Sequence, residues 1–339
     1  MKLTKGINLG GFLSQCEYKE EHYKEFITED DIKKIAAAGF DHVRLPVDYN
    51  IFENEDGSEN TAWIEYVTKT VEWAEHAGLS IILDLHKAPG YDFNDAGNSE
   101  KNNLFTRDDL KDRFLNLWTK IAEKYGKYPH VAFELLNEVV EKENAELWND
   151  LISRSVQAIR KVNKDTLIIY GGIQWNSVKT LKLLEKPVDK NVLFTFHFYE
   201  PLIFTHQKAY WVKGMDPDED IFYPEAMSYY NEKSERLGFQ GEVAREAASK
   251  TMGAEFIEEM IREAIVAAEA AGVGLYCGEF GVIDRAPIED TYRWFVDVNE
   301  VFRKYNIGYA LWTYKKMDFG LIDDHYAPIY DKLIKMWME

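Results

Sequence analysis

Apolar and polar positions along this chain alternate in two rhythms. Short apolar runs recur from end to end: GINLG (6–10), HVRLPV (42–47), SIILDLH (80–86), HVAFELLNE (130–138), TLIIYGG (166–172), NVLFTFHFYE (191–200), GLYCGEF (274–280) and GYALWTY (308–314). They are too short for helices, rich in Val, Ile, Leu and Phe, and bounded by Gly, Pro or charge, which predicts eight buried strands. Between them lie helical patterns. In TRDDLKDRFLNLWTKIAEKYG, Leu110, Phe114, Leu117, Trp118 and Ile121 fall on one face, with Thr106 placed to cap the helix and Gly126 to end it. TEDDIKKIAAAGF repeats the arrangement with Thr28 and Gly39, and AEHAG and AEAAG close two further helices at Gly78 and Gly272.

Strand, helix, strand at this rhythm implies parallel pairing through right-handed crossovers. Eight such units predict one α/β domain over residues 1–339, a closed (β/α)8 TIM barrel, a fold of roughly 250 residues before insertions. A doubly wound open sheet is the alternative, but neither GxGxxG nor GxxxxGK[ST] follows the first strand. One interval is long. About 80 residues separate Tyr199 from Glu279, and the surplus, about 200–250, is aromatic and charged. This large insertion after strand 6 is expected to extend the barrel mouth as a cleft wall or lid, unless it is disordered.

Composition narrows the function. With 46% hydrophobic and 29% charged residues the chain is globular, and no run approaches the roughly 18 apolar residues of a membrane span. The opening MKLTKGINLGG lacks a signal-peptide core and cleavage site, so a cytoplasmic protein or an already processed one is expected. A net charge of -19 argues against nucleic acid as partner and leaves neutral substrates unaffected. Cys16 and Cys277 provide neither a disulfide framework nor a zinc spacing and read as buried thiols.

In such a barrel, polar residues at the C-terminal ends of strands share one mouth. Here they are Arg44, His86, Asn137 and Glu138, His197 and Tyr199, Glu279 and Trp312. Alone, Glu138 would read as a solvated helix start, and Trp312 as a core residue. Glu279, three strands away, changes that reading. Two carboxylates facing across a mouth, with Arg, His, Tyr and an aromatic platform nearby, are equipped to cleave a glycosidic bond. Asp84, His86 and His197 on neighbouring strand ends raise a metal-hydrolase alternative, but the first strand lacks the paired His such sites use, and nothing completes a ligand set.

The ordered set VRLP, LDLHKAPG, FELLNEV, FHFYEP, YCGEFGV and ALWTYKKMDF resembles family 5 of the glycoside hydrolases, within the clan of barrel glycosidases. GINLGG, GFDHVRLP and THQKAYW are closest to clostridial and rumen-type endo-β-1,4-glucanases. The resemblance spans nearly the whole chain. It implies a retaining, two-carboxylate mechanism with Glu138 as acid/base and Glu279 as nucleophile, their carboxyl groups about 5–5.5 Å apart. By the same resemblance Arg44 pairs with the nucleophile, Tyr199 donates to it, Asn137 meets the sugar 2-hydroxyl, His86 and His197 contact sugar or support the site, and Trp312 stacks on a pyranose. Trp175 and Trp211 are candidates for more distant subsites. Glu134 reads as a carboxylate paired below the site. Lys87 stands where many relatives carry a second His, and NEV replaces NEP, which puts the sugar contacts at that edge in doubt.

The function implied is endo-β-1,4-glucanase action on soluble cellulose chains or mixed-linkage β-glucan, by a monomer using neither cofactor nor metal, with a β-glucan polysaccharide or oligosaccharide as partner. A β-mannanase, a broader enzyme also cutting xylan or xyloglucan, and a non-catalytic carbohydrate-binding barrel are the alternatives.

Overall fold

Eight parallel strands close in sequence order into a barrel, β1 bonding to both β2 and β8. The computed structural model describes residues 1–339. The strands are β1 (Lys5–Asn8), β2 (His42–Asp48), β3 (Ser80–Lys87), β4 (Val131–Glu134), β5 (Ile168–Gly171), β6 (Val192–Phe198), β7 (Gly274–Phe280) and β8 (Gly308–Leu311). Helices at 29–37, 64–76, 108–125, 145–162, 254–271, 288–304 and 330–338 surround them, and only a 3-10 turn, 178–183, joins β5 to β6. No helix is long and apolar enough to cross a membrane.

The local signals act where the chain lets them. Thr28 caps its helix in a capping box, its hydroxyl taking the Asp31 amide while Asp31 accepts from the Thr28 amide. Thr106 does not cap the helix at 108–125, which begins at Asp108 with Arg107 before it. Its hydroxyl instead donates to the Asn103 carbonyl, 3.1 Å away, inside a preceding turn. Gly126 ends that helix in a right-handed conformation (φ -65°), so its role is steric: a Cβ there would lie 2.5 Å from the Ala122 carbonyl. Gly272, by contrast, is left-handed (φ 74°), which only glycine adopts without strain.

Alternation along the strands separates two cores. Outward residues such as Ile81, Leu83, Val131 and Phe133 join the large core beneath the helices, while Ile82, Ala132, Ile169, Tyr276 and Ala310 form a small cluster inside the barrel. Two residues further along the same inward rows stand Arg44 above His42, Asp84 above Ile82 and Glu134 above Ala132. Strict alternation from Tyr276 would turn Glu279 outward. The register between β6 and β7 slips at this point, Phe196 pairing with Cys277 but His197 with Glu279, so that Gly278 is bulged out and Glu279 points inward.

Two apolar runs outlast their strands. β4 stops at Glu134 and β8 at Leu311, which places Asn137, Glu138 and Trp312 on the loops at the mouth. Residues 200–253, between β6 and the next long helix, fold into short helical segments around buried Ile203, Phe204, Tyr223, Tyr230 and Leu237.

Candidate active site

Arg44 organises the mouth. It is fully buried, and each of its five N–H groups meets an acceptor. Nε and Nη2 donate to the two Glu134 oxygens (2.7 and 2.9 Å), Nη2 also to Asn137 Oδ1 (2.8 Å), and Nη1 to Asn8 Oδ1 and Glu279 Oε1 (2.9 Å each). Asp84 Oδ2 lies 3.1 Å from Nη2. Burial opposes the charge on this guanidinium, and Asp84, Glu134 and Glu279 more than restore it. Because Arg44 holds the oxygen of Asn137, the amide nitrogen of Asn137 is the end left for a ligand.

Glu279 is held at both oxygens, Oε1 by Arg44 and Oε2 by the Tyr199 hydroxyl at 2.9 Å. Glu138 has a different partner, His197, whose Nδ1 lies 2.7 Å from Oε1. Burial raises both carboxyls, Glu138 to about 8 and Glu279 to about 7, and the charge of Arg44 counters the shift in each. The two share one pocket and titrate as a pair, with Glu279 the first to ionise because its donors favour the anion. Burial depresses His197 to about 4, so its ring is neutral beside Glu138.

His86 and Trp312 stack on each other at the mouth. Their rings are nearly parallel (4°) with centroids 5.9 Å apart, and the Phe93 edge meets His86 at 5.2 Å. His86 Nδ1 lies 2.6 Å from Asp84 Oδ2 and Nε2 lies 3.2 Å from the Gln15 amide, so Nδ1–H donates and Nε2 accepts. Trp175, after β5, stacks on Phe239 of the insertion (5.8 Å). Trp211 is 45% exposed, and the structure brings it to the site only through His206, which lies edge-on to both Trp211 and Tyr199.

A family model described as Cellulase (glycosyl hydrolase family 5) matches residues 4–318. The chain belongs to glycosyl hydrolase family 5. It is a glycoside hydrolase, similar over nearly its full length to endoglucanases. Endoglucanase C of Acetivibrio thermocellus is 38% identical over 98% of this chain and 96% of its own length. Cellodextrinase A of Ruminococcus flavefaciens is 40% identical over 90% of this chain and 83% of its own. Among solved structures, Thermotoga maritima Cel5A in complex with mannotriose superposes with a TM-score of 0.75 at 25% identity, covering 99% of this chain and 97% of that one.

The structure also brings to the mouth residues that the sequence pattern did not single out. Asn8 is a buried polar residue at the C-terminal end of β1 that accepts from Arg44, so its position at a strand end was a usable signal. Asp48, the polar residue at the C-terminal end of β2, carried the strand-end signal, whereas Gln15 and Tyr18 gave none, since loop contacts bring them in: the Tyr18 hydroxyl donates to Asp48, and Gln15 reaches His86. Beyond Lys87, which pairs with Asp92 at 2.7 Å, a cavity of about 710 Å³ opens between Tyr18, Asn50 and Trp63. Glu138, His197 and Glu279 bring one ligand atom each within 4.8 Å of one another. A cation there would compete with the bonds Glu279 already has to Arg44 and Tyr199, so the donor set fits a proton-sharing pair better.

Proposed function

We propose that this glycoside hydrolase is a retaining endo-β-1,4-glucanase in which Glu279 is the nucleophile and Glu138 the acid/base. One observation carries the assignment of roles: Arg44 pairs with Asp84, Glu134 and Glu279, while Glu138 has only a neutral imidazole beside it. The proton therefore resides on Glu138 and the charge on Glu279. The carboxylate oxygens, within 4.8 Å, support the short separation of a double displacement over the wider gap that an inverting enzyme needs for water.

In the first step Glu279 attacks the anomeric carbon while Glu138 protonates the departing glycosidic oxygen. Esterified Glu279 carries no charge, so the pKa of Glu138 falls and the Glu138 carboxylate can deprotonate the water that releases the sugar. Asn137, its oxygen fixed by Arg44, presents its amide to the 2-hydroxyl, and the Trp312 face next to His86 stacks on the pyranose. The 710 Å³ cavity beyond Lys87 favours binding of several sugar residues and hence endo action.

Mannan is the second reading, because the structurally similar Cel5A carries mannotriose in its complex. Product release and viscosity on carboxymethylcellulose, barley β-glucan and mannan, with wild type and Glu279→Gln, test both. A fast viscosity drop on glucan that vanishes in the variant is expected. Preferential cleavage of mannan would replace the substrate, and undiminished activity in Glu279→Gln would overturn the roles.

A further inference from the structure

Three consecutive residues with side chains, Gln174, Trp175 and Asn176, hold φ of 52°, 57° and 60°. Asn tolerates this left-handed region, but for other side chains it is strained. Such a run persists only where its surroundings over-determine it. Here the surroundings are the residues around Glu138. The Trp175 amide donates to the Val139 carbonyl (3.2 Å), Asn176 Nδ2 donates to the Asn137 carbonyl (3.1 Å), and the His197 amide donates to the Asn176 carbonyl (2.9 Å). The turn thus grips the residues immediately before and after Glu138 and, on the other side, the residue whose ring holds Glu138. Asn176 is completely buried, and Gly171 makes room for it: a Cβ on Gly171 would lie 1.6 Å from Asn176 Oδ1.

We propose that Asn176 is a positioning residue which, by joining the backbones of Asn137 and His197, fixes Glu138 against His197 and so places its proton at the leaving oxygen. The proposal rests on the reading of Glu138 as acid/base. β4 and β6 are not neighbours in the barrel, so no ladder bonds tie these two segments at the mouth. Asn176, at the C-terminal side of β5, bridges them. Proton transfer tolerates little displacement: a misplacement of about 1 Å can cost on the order of a hundredfold in rate.

The test uses a substrate whose leaving group needs a proton, cellotetraose, and one whose leaving group does not, 2,4-dinitrophenyl cellobioside, with first-turnover dinitrophenol release read separately. Asn176→Gly keeps the left-handed backbone and deletes the side-chain donor; Asn176→Asp keeps the shape and sets an oxygen against the Asn137 carbonyl. For both, kcat on cellotetraose is expected to fall roughly ten- to hundredfold, with KM and the dinitrophenol burst rate unchanged. Equal losses on the two substrates, or wild-type kinetics on both, would overturn the proposal. Glu138→Gln is the reference: if it shows no such split, the acid assignment fails; if it does and the Asn176 variants do not, Asn176 alone is wrong. Should Asn176→Gly not fold, Asn176→Asp gives the same readout.

Discussion

His197 Nδ1 lies 2.7 Å from Glu138 Oε1, and the ring is neutral because burial holds it near 4. An imidazolium at that distance would stabilise the Glu138 anion and discharge the acid. A neutral ring instead orients the carboxyl without taking its charge, and Glu138 keeps its proton.

The pH profile follows from the pair. Glu279 must be ionised and Glu138 protonated, so kcat/KM should fall below about 7 and above about 8. With dinitrophenyl cellobioside, first-turnover dinitrophenol release should lose the alkaline limb, because that leaving group needs no proton. An alkaline limb of equal steepness in the burst would contradict the assignment.

Holding that proton destabilises the fold. A carboxyl raised above its ordinary 4.5 costs nothing below that pH, where both folded and unfolded chains are protonated, and costs progressively more as pH rises toward about 8. Glu138→Gln removes the cost. Its gain in unfolding free energy, measured by urea titration, should be larger at pH 8 than at pH 5, and an equal gain at both would refute burial as the origin.

Arg44 is the opposite case. Arg44→Met would leave Asp84, Glu134 and Glu279 buried without a cation, a loss of about 3–5 kcal/mol in the same titration. Arg44→Lys keeps a charge but cannot serve five acceptors with three donors. Weakened contact with Glu279 raises the pKa of that group, so the acid limb of kcat/KM should move to higher pH in the Lys variant. An unmoved limb would show that Arg44 does not set the charge on Glu279.

The insertion meets the barrel where Phe239, 53% exposed, stacks on Trp175. If these rings hold a distal sugar, Trp175→Ala and Phe239→Ala should each raise KM roughly two- to tenfold on cellopentaose, from the ~0.5–1.5 kcal/mol of an aromatic stack, and leave KM on the aryl cellobioside alone. The same increase on both substrates would place the pair at the cleavage point instead.

Eight strands, their order and their parallel pairing were legible from apolar runs and helical spacing, because these periodicities are local. So were the Thr28 cap and the two candidate carboxylates. Thr106 misled because a turn at Asn103, itself set by neighbours, took its hydroxyl. What sequence alone determined is therefore the scaffold and the identity of the groups brought to its mouth. Only the tertiary structure decided which way they face and how charge is divided among them. The bulge at Gly278 turns Glu279 inward against the strand's alternation, and Asn176 reaches Asn137 across the gap between β4 and β6. Arg44 reaches carboxylates on β3, β4 and β7 and leaves Glu138 to a neutral ring. These relations are distances of a few ångströms between residues as far apart in sequence as 44 and 279. Electrostatic energy depends on those distances and on burial, neither of which a one-dimensional pattern carries.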